Sequence, residues 1–293
     1  MGAMGIVVGI DDSPGARLAV QWAAREAELR NIPLTLVYAF SPEVSTWLRT
    51  PLPAGVLRWQ QDHGRRLIEG ALQAVEEVTA AGGPAGVNTE VLASGAALTL
   101  IEKSKQAELV VLGAKGSGRW PGRLLGSVSS ALLRHAHCPV AIVHEEDPSI
   151  FAASQSPVVV GIDGSPASEA GTAIAFDEAS RRRVGLVALH AWSDLDVSEW
   201  PGIDWPATQS MAEEVLAERL AGWQERYPDV QVTRVVAQAQ PARRLVEASK
   251  AAQLVVVGST GRGGFAGMLV GSVGETVAQL AEVPVIVARG APA

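Results

Sequence analysis

The feature that most narrows the fold is that the chain carries one pattern twice. Val7 to Phe40 aligns with Val159 to Trp192 at a constant offset of 152 residues, and the two copies open VVGIDDSP and VVGIDGSP. Further on, Leu109 to Glu145 aligns with Leu254 to Gly290 at an offset of 145, with fourteen identities in thirty-seven positions. Each copy is the size of an ordinary domain, so the repeat reads as a duplicated fold and not as a short solenoid unit. Two domains, 1–148 and 156–293, follow. The stretch between them, Asp147 to Ser156, holds Pro, Ser and Ala and reads as a joint.

Within each copy, short apolar runs alternate with longer helical patterns. The first copy predicts strands at Gly5–Ile10, Leu34–Ala39, Val87–Ala93, Leu109–Gly113 and Val140–Val143. Helices are expected near 13–30, 57–81, 96–105 and 127–136. Ser13 is suited to cap the first helix, with Pro14 at its first position. The second copy repeats the order with strands near 158–162, 186–191, 230–236, 254–258 and 285–288, and helices near 165–183, 207–226, 241–249 and 272–281. Apolar strands enclosed by helices predict a parallel sheet, with binding chemistry beyond the carboxyl ends of its strands.

Composition excludes several classes. A net charge of -7 and a pI near 5.3 argue against broad nucleic-acid binding, which needs a basic face. Cys138 is the sole cysteine, so no disulfide scaffold is possible and a reducing cytoplasm fits best. No apolar run reaches bilayer-spanning length and no secretory pattern opens the chain, so membrane insertion is not expected. Met1, Gly2 and Ala3 resemble an expression remnant before Met4.

The chemistry concentrates in two glycine-rich segments. The first runs from Gly113 through Gly116, Gly118 and Gly122 to Gly126 and Ser127; its partner runs from Gly258 through Gly261, Gly263 and Gly267 to Gly271 and Ser272. Both share G-x2-G-x9-G-S, follow an apolar strand and precede a helix. Glycines admit close approach to backbone amides, and a helix N-terminus offers N–H groups to an anion. Phosphate suits both features. The hydroxyls of Ser127, Ser272 and Ser129 and the amides of Val128 and Val273 are further candidate donors. The competing reading, that these glycines serve turns and packing alone, weakens once the motif occurs twice in the same context.

Asp11 and Asp163 close the first strand of each copy, where a carboxylate can accept from ribose hydroxyls or an adenine amino group, or can stabilise the loop. Neither copy holds a GK[ST] Walker sequence or a G-x-G-x-x-G directly after its first strand, so P-loop hydrolases and NAD-binding Rossmann enzymes lose their main support.

Taken together, these segments resemble the universal stress protein family in its tandem, ATP-binding form, across nearly the whole chain. The resemblance implies an α/β fold of two doubly wound five-stranded parallel sheets, each of order 3-2-1-4-5. It places Asp11 near ribose, Ala39 near adenine, Gly113 near the nucleoside, and Gly116, Gly126, Ser127, Val128 and Ser129 around phosphate. The second site maps to Asp163, Ala191, Gly258, Gly261, Gly271, Ser272 and Val273, with Gly274 in place of Ser129. It also implies pairing of the two domains through the final strands, Val140–Val143 and Val285–Ala288, and a homodimer. The function implied is an ATP-binding stress-response regulator, with or without Mg2+, in which bound nucleotide alters conformation or interactions with a regulatory protein partner. An efficient enzyme is not expected. A slow ATPase or phosphotransferase and a nucleotide-free interaction module are the alternatives.

Other residues invite weaker readings. Lys115, Arg119 and Arg123 make the first glycine loop more basic than its partner, which carries Arg262. His135, His137, Cys138 and His144 suggest metal ligation by type, yet His135 and His137 do not recur in the second copy, and a packed helix end is the better reading. Trp47, Trp59, Trp192, Trp200, Trp205 and Trp223 suit cores or contacts, and Trp120, aligned with Phe265, suits packing of the glycine loop.

Overall fold

The computed structural model describes residues 4–45, 50–51, 53–79, 82–116, 124–144, 155–191, 205–238, 240–261 and 270–290. The chain divides into two compact units, Met1–Glu145 and Glu146–Ala293. Most of the expected joint, Arg119, Trp120, Arg123, Arg262 and Phe265, and also Trp47, Trp192 and Trp200, lie outside the described residues.

The first unit runs β1 (Ile6–Ile10), α1 (Pro14–Arg30), β2 (Leu34–Ala39), β3 (Glu43–Ser45), β4 (Thr50–Pro51), α2 (Ala54–Val78), β5 (Val87–Leu92), α3 (Ala96–Lys103), β6 (Leu109–Gly113), α4 (Ser127–His135) and β7 (Val140–Val143). Its parallel strands pair in the order β5-β2-β1-β6-β7, with Ile6 opposite Leu34 on one side and Leu109 on the other. The small antiparallel pair β3–β4 was not anticipated; its segments lack the apolar alternation that marks a strand.

The second unit runs β8 (Val158–Gly161), α5 (Pro166–Arg182), β9 (Leu186–Ala191), α6 (Trp205–Arg226), β10 (Val232–Ala237), α7 (Pro241–Ser249), β11 (Leu254–Gly258), α8 (Ser272–Leu280) and β12 (Val285–Ala288). Its strands pair in parallel in the order β10-β9-β8-β11-β12.

The physical cause is visible in burial. Ile6, Val7, Val8, Val110 and Val111 are fully buried, as are Val158, Val160, Val255 and Val256, because helices cover both faces of a parallel sheet. The helices start where the sequence signals them. Ser13 Oγ accepts from Ala16 N at 3.1 Å ahead of Pro14, and Ser165 Oγ accepts from Ser168 N at 3.2 Å ahead of Pro166. Both helices end on a left-handed residue, Asn31 and Arg183, which turns the chain toward the next strand. Each also carries an internal ion pair: Glu26 to Arg30 at 2.7 Å and Glu178 to Arg182 at 2.9 Å, with both carboxylates buried.

In each unit the first strand lies between the second strand and the strand that leads into the glycine loop. The chain therefore leaves β1 toward β2 and returns on the other side at β6, and the same holds for β8, β9 and β11. Such a reversal opens a crevice at the carboxyl ends of the strands.

Candidate functional site

The crevice of the first unit is built from two connections that hold one another. Asp11, just past β1, accepts through Oδ1 from the backbone N of Ser13 at 3.0 Å and from its hydroxyl at 2.5 Å. That hydroxyl also reaches the Lys115 carbonyl at 3.4 Å, tying the β1–α1 turn to the glycine loop. On the other side of the carboxylate, a Cβ on Gly116 would stand 2.8 Å from Asp11 Oδ2. The second unit repeats the construction: Ser165 N donates to Asp163 Oδ1 at 2.8 Å, Ser165 Oγ donates to the Thr260 carbonyl at 3.0 Å, and a Cβ on Gly261 would stand 2.7 Å from Asp163 Oδ2. Asp11 and Asp163 thus take on the loop-stabilising role with one oxygen while the other abuts the glycine of the loop.

The glycine loop then turns back into a helix. Gly126 N donates to the Ala114 carbonyl at 2.8 Å, and the first intrahelical bond runs from Ser130 N to Gly126 O at 2.9 Å. The amides of Ser127, Val128 and Ser129 precede that ladder and carry the positive end of the helix dipole. In the second unit Gly271 N donates to Ser259 O at 2.6 Å and Glu275 N to Gly271 O at 3.1 Å, which leaves Ser272, Val273 and Gly274 in the same position.

These parts meet in one cavity of about 590 Å³. Asp11, Ala39, Gly113, Gly116, Gly126, Ser127, Val128 and Ser129 all line it. A volume of that order fits a small organic ligand. Its remaining lining includes Val37, Leu100 and Leu112, with Leu124 and Leu125 directly ahead of Gly126, so apolar side chains share the cavity with the polar groups. Tyr38 also lines it; its hydroxyl donates to Gln60 Oε1 at 2.9 Å. Burial, and then the negative charges of Asp12 and Asp11, hold the Tyr38 phenol above its usual pKa.

Two of the expected site positions are also engaged by the protein itself. Ser129, assigned to phosphate by the resemblance, is buried, and its hydroxyl donates to the Gly113 carbonyl at 2.8 Å, so its side chain ties α4 to β6. In the second unit that contact is absent because Gly274 has no hydroxyl, and a Cβ there would already stand 2.9 Å from the Gly258 carbonyl. Gly113 and Gly258 line the strand ends as expected, yet the space of their missing side chains is filled by protein. A Cβ on Gly113 would stand 2.7 Å from the Gly15 carbonyl carbon, and one on Gly258 2.8 Å from Ser168 N. Their smallness lets α1 and α5 begin against the neighbouring strand.

The second unit differs from the first at further aligned positions. Ala191 ends β9, opposite Ala237 of β10. His190 stands where Tyr38 stands and places Nδ1 2.6 Å from the Ile162 carbonyl. Thr260 replaces Lys115, and Gly164 replaces Asp12. The tie of Ser13 and Ser165 to the glycine loop was missed, although the Asp-x-Ser spacing in both openings is the signature of an Asx turn. The α3 wall carried no local signal.

Elsewhere, Cys138 is buried with its thiol donating to the Pro139 carbonyl at 3.4 Å, and His137 N donates to Ser104 Oγ at 2.9 Å. Among the described residues no three His, Cys, Asp or Glu side chains converge as a metal site. Trp223 donates to Glu169 and stacks with Phe176 in the α5–α6 contact, while Trp59 stacks on His63 at the surface. No helix among the described residues is long and apolar enough to cross a membrane.

Comparison with known proteins agrees with this architecture. Residues 4–144 and 156–289 each match the model of the universal stress protein family. A universal stress protein of Mycobacterium tuberculosis strain H37Rv is 71% identical over 287 residues, covering 98% of this chain and 97% of the relative. A universal stress protein of Mycobacterium bovis is 53% identical over 285 residues, covering 97% of each. The crystal structure of a universal stress protein from Archaeoglobus fulgidus superposes with a TM-score of 0.69 at 18% identity, over 98% of this chain and 96% of that one, a likeness of fold. Two matches of the family model in sequence order, each containing its own glycine-rich segment and the helix that follows it, establish that the chain belongs to the universal stress protein family as a tandem-domain member.

Proposed function

We propose that each unit binds one adenine nucleotide, ATP in the first instance, and that the protein is a stress-response regulator whose bound nucleotide alters its conformation or its interactions. The observation that carries this reading is the convergence of Asp11, the glycine loop and the α4 N-terminus on one cavity. The helix end favours an anion, the carboxylate accepts from hydroxyl groups, and the apolar wall suits a flat base; a nucleotide carries all three chemistries. The reading treats each unit as a doubly wound module of order 3-2-1-4-5, which its parallel pairings support. It assigns ribose contact to Asp11 and Asp163, adenine to Ala39 and Ala191, and phosphate to Gly116, Gly126, Ser127 and Val128 and to Gly261, Gly271, Ser272 and Val273, with the backbone amide, not the hydroxyl, of Ser129 as donor.

Asp11 is the carboxylate that lines the cavity, and Ser13 already engages its Oδ1. A hard divalent cation needs about six oxygens, so Mg2+ would come with the polyphosphate and not in a protein cage. Native mass spectrometry of the purified chain, followed by calorimetry with ATP, tests the reading. Two adenylates per chain, held without multiple turnover, are expected. Folded protein that carries no adenylate and gives no saturable binding heat overturns it; multiple turnover points instead to the slow ATPase alternative.

A further inference from the structure

The two sites differ in charge at one aligned position of the glycine loop. In the first unit Lys115 lines the cavity beside Gly116, on the glycine-loop side, and no described carboxylate pairs with its ammonium group. The equivalent residue in the second unit is Thr260: its carbonyl accepts from Ser165 Oγ as the Lys115 carbonyl accepts from Ser13 Oγ, so the backbone match is structural as well as sequential. Position 260 therefore contributes no charge.

A cation also stands at the first-strand turn of the second unit. Arg219 of α6 packs on the β8–α5 turn, where a Cβ on Gly164 would stand inside its guanidinium group. Gly164 holds φ +77, a conformation that L side chains rarely adopt, and in the first unit the same position is the acidic Asp12. Arg219 has no carboxylate partner among the described residues, and its Nε is buried without a hydrogen-bond partner. The guanidinium thus sits on the turn next to Asp163.

We infer that the first site discriminates nucleotides by the length of their phosphate chain through Lys115, and does so more strongly than the second site. The inference rests on the proposed nucleotide reading, in which phosphate lies at the glycine loop and the α4 or α8 N-terminus. Each added phosphate brings charge toward the ammonium group of Lys115. In the second unit the aligned Thr260 offers the added charge no ammonium group. Lys115 is a specificity-determining residue on this reading, and Thr260 is its neutral counterpart.

Hydrogen-exchange mass spectrometry on the full chain reads the sites separately, through protection of peptides spanning Gly126–Ser130 and Gly271–Glu275 during titration with ATP or AMP. The expected ratio of ATP to AMP affinity is about 10-fold greater at the first site than at the second, the order of one charge-assisted contact. Lys115→Thr should collapse the ratio at the first site while AMP binding stays, Lys115→Arg should retain it, and Thr260→Lys should raise it at the second. Equal ratios at the two sites, or a ratio unchanged in Lys115→Thr, overturn the inference while leaving nucleotide binding intact. Failure of both nucleotides to protect either peptide overturns the nucleotide reading itself.

Discussion

Asp11 and Gly116, 105 positions apart in the chain, are in a contact that a side chain would disturb: a Cβ on Gly116 would stand 2.8 Å from Asp11 Oδ2, so the carboxylate would have to shift. The same relationship links Asp163 and Gly261 at 2.7 Å. The glycine leaves room for a carboxylate from another element beside it, so the loop and the turn position each other.

Gly116→Ala is expected to push the Asp11 carboxylate out of place and to lower ATP affinity at the first site by about 10-fold or more, since a loss of roughly 1.4 kcal/mol is tenfold. Gly261→Ala should do the same at the second site alone. Calorimetry of each variant, with circular dichroism to establish that the fold is retained, checks this. Parental affinity at both sites in a folded Gly116→Ala, Gly261→Ala double variant would refute the assignment.

Ser129→Ala separates the structural role of the hydroxyl from a ligand role. Losing the buried hydrogen bond to the Gly113 carbonyl should cost about 1 kcal/mol of stability. Because the amide of residue 129 is retained, ATP affinity should hold within about 2-fold. Urea denaturation measures the first quantity and calorimetry the second; a large fall in affinity with stability unchanged would restore the phosphate role for the hydroxyl.

The Tyr38 phenol titrates above its usual value of 10.0, chiefly because it is buried and secondarily because Asp12 and Asp11 disfavour a further negative charge. A raised folded pKa means that the folded state holds the proton more tightly. The associated stability is fully present below the ordinary tyrosine pKa and is lost as pH rises through the folded value. Tyrosinate absorbance of the parent minus that of Tyr38→Phe should place the transition above the ordinary value. Asp12→Asn should move it down without bringing it to the ordinary value, because burial remains. A Tyr38 transition at or below the ordinary value in the parent would contradict the structure.

Glu178 is fully buried and is held by Arg182 at 2.9 Å, whereas the neighbouring Arg181–Asp177 pair is exposed. Arg182→Ala removes an ion-pair partner of a buried carboxylate and should cost about 3 kcal/mol. Arg181→Ala removes a solvent-screened pair and should cost about 0.5 kcal/mol or less. Equal costs in paired denaturation curves would show that burial does not govern these ion pairs.

The duplication, the alternation of strands and helices, the caps at Ser13 and Ser165, and the two places where a glycine loop meets a helix N-terminus are legible in the residues alone. Each of these is local: apolar runs, a capping serine ahead of a proline, and glycines at fixed spacing act over a few residues, and comparison of the two copies reinforced them. What only the tertiary structure decided lies between residues far apart in the chain. The Ser129 hydroxyl is taken by the Gly113 carbonyl. Gly113 is small because Gly15 stands against it. Leu100 of α3 closes the cavity. Arg219 occupies the space that Gly164 leaves. Hydrogen bonds and steric exclusion act over a few ångströms, and sequence periodicity does not say which distant atom will fill that distance once the sheet has brought the connections together.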